Sequence, residues 1–115
     1  MSQFTLHLVE GSVSFQFSAD AARALKAELA QLMQTFKVVA ASGEGANRGR
    51  PTPQSSLEYR STGAVFFECF CNPNIWPSPF AAKALITVRD EHIRLTTEAE
   101  LTQLNEDLNQ FLEQY

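Results

Sequence analysis

The spacing of apolar residues changes several times along this chain, and these changes limit the fold more than any other feature. Residues 4–9 and 13–17 alternate apolar and polar side chains, which is typical of strands with one buried face. Residues 19–36 and 97–115 instead place apolar side chains three and four positions apart, which is typical of amphipathic helices. Both periods within one short chain predict a mixed fold of the α+β class.

The strands and helices can be ordered from their boundary residues. Glu10 and Gly11 separate the first two strand segments, which predicts a hairpin in which Gly11 can adopt a positive φ. Ser18 is a suitable N-cap for the first helix. Thr97 and Glu100 have the spacing of a capping box at the start of the second helix. Four further strand segments lie between the helices, at residues 56–60, 64–71, 83–90 and 92–96.

This order, β-β-α-β-β-β-β-α, predicts how the apolar surfaces are buried. Each helix has a single apolar stripe, consisting of Ala22, Leu25, Leu29, Leu32 and Phe36 in the first helix and of Leu101, Leu104, Leu108, Phe111 and Tyr115 in the second. We expect an antiparallel sheet of about six strands with both amphipathic helices packed on one face. Because residues 64–71 are apolar on nearly both faces, their strand should lie centrally in the sheet.

The length of the chain predicts a single domain spanning residues 1–115. Residues 41–53, "ASGEGANRGRPTP", are rich in Gly and Pro and lack bulky apolar side chains, which predicts a flexible loop. Arg48 and Arg50 give this loop a basic tip. It is either a solvated linker or an arm that closes over an anion or a partner.

The charge and the N-terminus narrow the class of protein. A net charge of −4 argues against a protein built wholly around nucleic acid or an anionic membrane. The chain has no basic, apolar leader at its start and no run of about 20 apolar residues that would span a bilayer. We therefore expect a cytoplasmic protein whose cysteines are reduced.

The segment "FFECFCNPNIWPSPF", residues 66–80, contains the two cysteines. Cys69 and Cys71 are two positions apart on a strand, so both sulfurs point to the same face. Packed thiols, a soft-metal site and a labile redox pair are the interpretations of this pair. With His7 and His92 as the only histidines, the three or four ligands of a zinc site are lacking, so we expect no metal site and no cofactor.

The opposite face of the same strand carries Phe66, Glu68 and Phe70. If both helices cover one side of the sheet, these side chains lie on the uncovered side. Glu68 is either a buried acid among phenylalanines or the ion-pair partner of a nearby arginine. Since the sequence has no nucleophile motif and no phosphate-binding fingerprint, we expect no enzyme and assign no catalytic residues.

An aromatic face rimmed by charge is typical of protein–protein interfaces. Three prolines restrict the following loop, so Ile75, Trp76 and Phe80 either plug the end of the core or act as anchors for a partner. We expect a small binding or accessory protein, either a homodimer or bound to another protein. The alternative is a single-stranded nucleic-acid-binding module in which Phe66 and Phe70 stack on bases. The phosphates would then contact Arg48, Arg50, Arg60, Arg89 and Arg94.

Two resemblances accompany this interpretation. The stretches "SFQFSADAARALKAELAQLMQ" and "IRLTTEAELTQLNEDLNQFLEQ" resemble small cyanobacterial α+β proteins of unknown function, which combine a strand pair, a long helix, further strands and a closing helix. This resemblance implies a cytoplasmic or thylakoid-associated accessory protein. The element order is also similar to that of the Whirly-like single-stranded-DNA-binding fold, a likeness of architecture that brings no residue motif.

Overall fold

The computed structural model describes residues 2–44 and 55–114, with side chains to Phe36 and from Ser55 onward. It confirms the α+β class and the order β-β-α-β-β-β-β-α. The elements are β1 (Ser2–Leu8), β2 (Gly11–Phe17), α1 (Ala19–Glu44), β3 (Leu57–Ser61), β4 (Phe66–Cys71), β5 (Lys83–Arg89), β6 (Arg94–Glu100) and α2 (Leu101–Leu112). A single 3-10 turn, Pro73–Ile75, interrupts the connection between β4 and β5.

The strands form two antiparallel sheets, whereas the sequence predicted one sheet of about six strands. β1 pairs with β2, and the other strands form a four-stranded sheet in the order β3-β4-β5-β6. The outer edge of β1 contacts α2, where the His7 N–H donates a hydrogen bond to Asp107 Oδ2 at 2.7 Å. This hydrogen bond gives the edge of β1 a partner on a helix in place of a neighbouring strand.

One face of the four-stranded sheet, here called the inner face, is covered by both helices and by the β1–β2 hairpin. Phe67 on β4 stacks on Phe15 of the hairpin, with ring centroids 5.2 Å apart. Phe4 of the hairpin meets Phe111 of α2 edge-on at 5.4 Å. The Tyr59 hydroxyl on β3 donates to a carbonyl of α1 at 2.8 Å. The hairpin therefore packs beside the two helices and helps to cover the inner face of the four-stranded sheet.

The first helix begins as predicted and continues further. Ser18 Oγ accepts a hydrogen bond from the Ala21 N–H at 3.1 Å, which confirms Ser18 as the N-cap. The helix extends to Glu44, so the prediction of a loop was wrong for residues 41–44. The glycine in this extension, Gly43, costs a helix only about 1 kcal/mol, which one more turn of backbone hydrogen bonds offsets. Residues 45–53 of the predicted loop lie outside the described residues.

The second helix starts later than the sequence predicted. Thr97 lies within β6 opposite Ile86, and β6 continues until Glu100 pairs with Lys83. Glu100 is the N-cap residue and makes no capping hydrogen bond through its side chain. The capping-box prediction was therefore wrong, because pairing along the whole of β5 extends the strand through these residues.

The apolar stripes of both helices are buried as predicted, and of the two hairpin turns the second differs from the prediction. The stripe residues of α1 are all buried, and those of α2 are buried through Phe111, while Tyr115 lies outside the described residues. Gly11 adopts a φ of 156° after the first hairpin turn, as expected. The β5–β6 turn is longer than predicted, so His92 lies in it and not on a strand. Asp90 Oδ1 accepts hydrogen bonds from the backbone N–H groups of His92 and Ile93 in this turn.

Candidate functional site: the open face of the sheet

The face of the four-stranded sheet that points away from the helices is here called the open face. Side chains alternate across a strand, so every second residue of β3 to β6 lies on this face. The register places most of them in three cross-strand rows: Glu58–Phe70–Leu85–Glu98, Arg60–Glu68–Thr87–Thr96, and Phe66–Arg89–Arg94; Lys83 and Glu100 form a further pair. The rows bring together six of the residues named from the sequence, which come from all four strands.

The aromatic residues of the open face are only partly covered. Phe66, Glu68 and Phe70 are half-buried, whereas Phe67, Cys69 and Cys71 on the other side of the same strand are fully buried. Leu85 lies beside Phe70 and is 47% exposed. The sequence analysis missed Leu85, although its alternation with Ala84 and Ile86 placed it on this face.

Glu68 pairs with an arginine, as one of the two interpretations predicted. Its Oε2 atom accepts a hydrogen bond from Arg60 Nε at 2.6 Å, across the β3–β4 pair. The Arg60 side chain is 61% exposed and that of Glu68 is 32% exposed, so water screens this ion pair and it stabilises the fold by no more than about 1 kcal/mol. Glu68 is thus a surface carboxylate with a cationic neighbour, an arrangement that does not favour acid–base catalysis.

A basic corner lies at one end of the open face. The Arg89 guanidinium carbon lies 4.3 Å from the ring centroid of Phe66, which is a cation–π contact. Arg94 is directly opposite Arg89 in the β5–β6 register. Two like charges side by side repel each other, so an acidic group placed beside them would be stabilised.

The open face as a whole is balanced in charge. It carries four acidic and four basic side chains: Glu58, Glu68, Glu98 and Glu100, and Arg60, Lys83, Arg89 and Arg94. The acidic helix α2 packs against the inner face, away from these residues. The open face therefore has no net field that would attract a phosphate backbone.

The proline-rich connection between β4 and β5 has a buried part and an exposed part. Ile75 is 67% exposed and Phe80 is 81% exposed. Trp76 is half-buried and packs against the core, while Pro73 is buried. The loop therefore plugs the core through Pro73 and Trp76 and presents Ile75 and Phe80 to the exterior. Arg48 and Arg50 lie outside the described residues.

Cys69 and Cys71 are buried free thiols on the inner face. Burial raises the pKa of both thiols, for Cys71 to about 11, so both are protonated at neutral pH. Within residues 2–36 and 55–114, no group of three or more metal-ligating side chains comes together. In the described part of the chain the two thiols pack as small apolar side chains.

The structure also reveals a polar cluster that the sequence analysis missed. The Asp107 carboxylate is almost fully buried and accepts hydrogen bonds from the His7 N–H at 2.7 Å and from the Gln103 amide at 2.9 Å. The His7 ring approaches the same carboxylate at 3.0 Å. The signal for this cluster was present, since position 107 falls within the apolar stripe of α2 between Leu104 and Leu108.

Comparisons with protein families, with curated proteins and with solved structures found no match. The resemblances to small cyanobacterial proteins and to the Whirly-like fold therefore stay predictions. No helix in the described ranges is long and apolar enough to cross a membrane.

Proposed function

We propose that this protein is a small binding or accessory module that recognises another protein chain through the open face of its sheet. The observation that carries the proposal is the set of partly exposed apolar side chains on a face left uncovered by the helices: Phe70 and Leu85 are adjacent, and Phe66 lies two rows away. Complete burial of one such side chain contributes roughly 1.5–3 kcal/mol. Since these three are already partly covered, they would contribute a modest affinity on their own.

The charges around this patch support a protein partner. Charged side chains lie between and around the apolar ones, and mixed charges fix the orientation of a partner. A partner that matches this face would place acidic groups near Arg89 and Arg94 and basic groups near Glu58 and Glu98. Ile75 and Phe80 on the adjoining loop would add apolar area, and restricted backbone angles at the prolines limit the entropy lost on binding.

The test is site-specific photo-crosslinking in lysate of the source cells. A photoreactive phenylalanine at position 70 would yield discrete protein adducts, and Leu85→Asp would abolish them. The matched control places the same group at Lys26, which is exposed on α1. Equal adducts from both positions, or adducts that persist in the Leu85→Asp variant, would contradict a role for the open face.

Single-stranded nucleic acid is the second candidate, and the observation that favours it is the basic corner. Arg89 stacked on Phe66 beside Arg94 combines a π-face with two cations, as in single-strand-binding surfaces. The test is fluorescence anisotropy with an oligothymidylate at moderate salt. Arg89→Ala and Arg94→Ala would each weaken binding, whereas Arg23→Ala on α1 would not. Absence of binding at micromolar protein would exclude this candidate.

A further inference from the structure

We propose that the outer edge of β2 binds an extended peptide segment of another protein, which adds to the β1–β2 sheet as an antiparallel strand. The segment places alternate apolar side chains in a groove beside this edge. The surface is separate from the open face, so the inference goes beyond the proposed function and does not depend on it. Addition of a strand to an exposed sheet edge is a recurring mode of peptide recognition.

The register of the hairpin shows which backbone groups of β2 face outward. The His7 N–H donates to Asp107, away from β2, so His7 and its partner Ser12 form a non-hydrogen-bonded pair. Such pairs alternate along an antiparallel ladder, so Ser14 and Gln16 are oriented like Ser12. The N–H and C=O groups of these residues therefore point away from β1, and in the described part of the chain no strand pairs with them.

This edge lacks the features that usually protect an edge strand from pairing with another chain. β2 has no charged side chain and no proline, and its pairing with β1 continues without a bulge over all seven residues. The other edges differ. The edge of β1 is joined to α2 through Asp107, β3 carries Glu58 and Arg60, and β6 carries three charged side chains. Of these edges, that of β2 is the one open to strand addition.

A groove with a volume of about 240 Å³ runs along the same edge. Residues 13–16 of β2 line one side of it. Successive side chains of a strand point to opposite faces, so a groove bordered by four consecutive residues lies beside the strand and not over one of its faces. The opposite wall comes from the end of the four-stranded sheet and contains Val65, Val88, Arg89, Asp90, Ile93 and Leu95.

The size and the chemistry of the groove indicate what it binds. Pockets for small molecules have volumes of about 300–1,000 Å³, so this smaller groove suits a few aliphatic side chains better than a whole ligand. An extended backbone presents N–H and C=O groups at the same two-residue period as Ser12, Ser14 and Gln16. Its residues opposite these three share their exposed face, so the intervening residues point into the groove beside Val13 and Phe15. A fitting segment therefore alternates uncharged polar residues with valine, isoleucine or leucine.

A segment free of its own domain fits this edge better than a second copy of the chain. The β5–β6 turn, with Asp90 and Ile93, borders the groove, so an added strand has to lie between this turn and β2. The β2 strand of a second copy is itself flanked by such a turn, which would meet the turn of the first copy.

The test is fluorescence anisotropy with a labelled synthetic peptide that alternates threonine and valine between terminal lysines. We expect a dissociation constant of about 0.1 mM, because ordering a short flexible segment offsets much of the contact energy. N-methylation of the threonine nitrogens removes the N–H groups that bond to β2 and should weaken binding at least about tenfold. The matched control methylates the valine nitrogens, which point away from β2, and should change binding by less than about threefold.

Two matched pairs of protein variants test the same contact. Ser14→Pro removes an outward N–H without breaking a hydrogen bond to β1 and should weaken binding at least about tenfold. Ser14→Ala keeps this N–H and should leave binding unchanged. Ile93→Asp places a charge beside the apolar side chains of the peptide and should weaken binding by about tenfold. Ile75→Asp, at a similarly exposed position outside the groove, should have no effect.

Three results would overturn the inference: no binding up to about 1 mM peptide, equal losses from both methylated peptides, or binding that Ser14→Pro and Ile93→Asp leave unchanged. Circular dichroism of each variant excludes loss of fold as the cause. A wild-type dimer in sedimentation velocity that Ser14→Pro dissociates would assign the edge to a second copy and would also overturn the inference. Leu85→Asp separates it from the proposed function, because this variant should lose open-face adducts and still bind the peptide.

Discussion

The two faces of β4 contrast within a single strand of six residues. Its inner face, with Phe67, Cys69 and Cys71, is fully covered by the hairpin and the helices of the same chain. Its open face, with Phe66, Glu68 and Phe70, is half-covered by neighbouring side chains alone. Each face carries at least two apolar side chains, so apolar content alone does not show which face is buried. The difference is whether the chain itself supplies a second layer.

The largest effect is expected when two phenylalanines on the opposite faces of β4 are each replaced by alanine. Phe67→Ala removes a ring that packs between Phe15, Phe17 and Tyr59, so we expect a loss of about 3–5 kcal/mol in the free energy of unfolding. Phe70→Ala removes a half-exposed ring and should cost about 1 kcal/mol. Urea unfolding of the two variants and of the wild type measures both losses. Equal losses would show that the open face is part of the core.

The next test concerns the contact that joins the edge of β1 to α2. Asp107→Ala removes the acceptor of the His7 N–H and the Gln103 amide, so we expect a loss of roughly 1.5–3 kcal/mol in the free energy of unfolding. His7→Ala removes only the ring contact and should cost less, because the backbone N–H still reaches the carboxylate. An Asp107→Ala variant as stable as wild type would mean that the buried carboxylate does not hold the hairpin to α2.

The thiols of the inner face predict a pH dependence. Burial raises the pKa of Cys69 and brings that of Cys71 to about 11, against about 8.5 in an unfolded chain. Because the folded state holds these protons more tightly, the stability they contribute is complete below about pH 8.5 and is lost as the pH rises through the folded pKa. Urea unfolding between about pH 8 and 11 should show a shallower decline for a Cys69→Ala/Cys71→Ala variant than for wild type. Parallel curves would indicate that the thiols titrate as freely as in the unfolded chain.

Features that depend on neighbours in sequence were predicted correctly, whereas features that depend on residues far apart in the chain were not. Both apolar stripes, the N-cap at Ser18 and the alternation along β4 depend on neighbours a few residues apart, and the described residues match them. The packing of β1 against α2 includes a hydrogen bond between His7 and Asp107, which are 100 positions apart in the chain. No local pattern reports such a contact. Thr97 and Glu100 failed as a cap for the same reason, since pairing with β5 overrides a local capping preference.

The smallest expected effect concerns the ion pair at the centre of the open face. A double-mutant cycle with Arg60→Ala and Glu68→Ala should give a coupling energy of about 0.2–1 kcal/mol, because both side chains remain accessible to water. Salt should reduce this coupling, since exposed charges are screened. A coupling well above this range that salt does not reduce would mean that the pair is shielded from solvent.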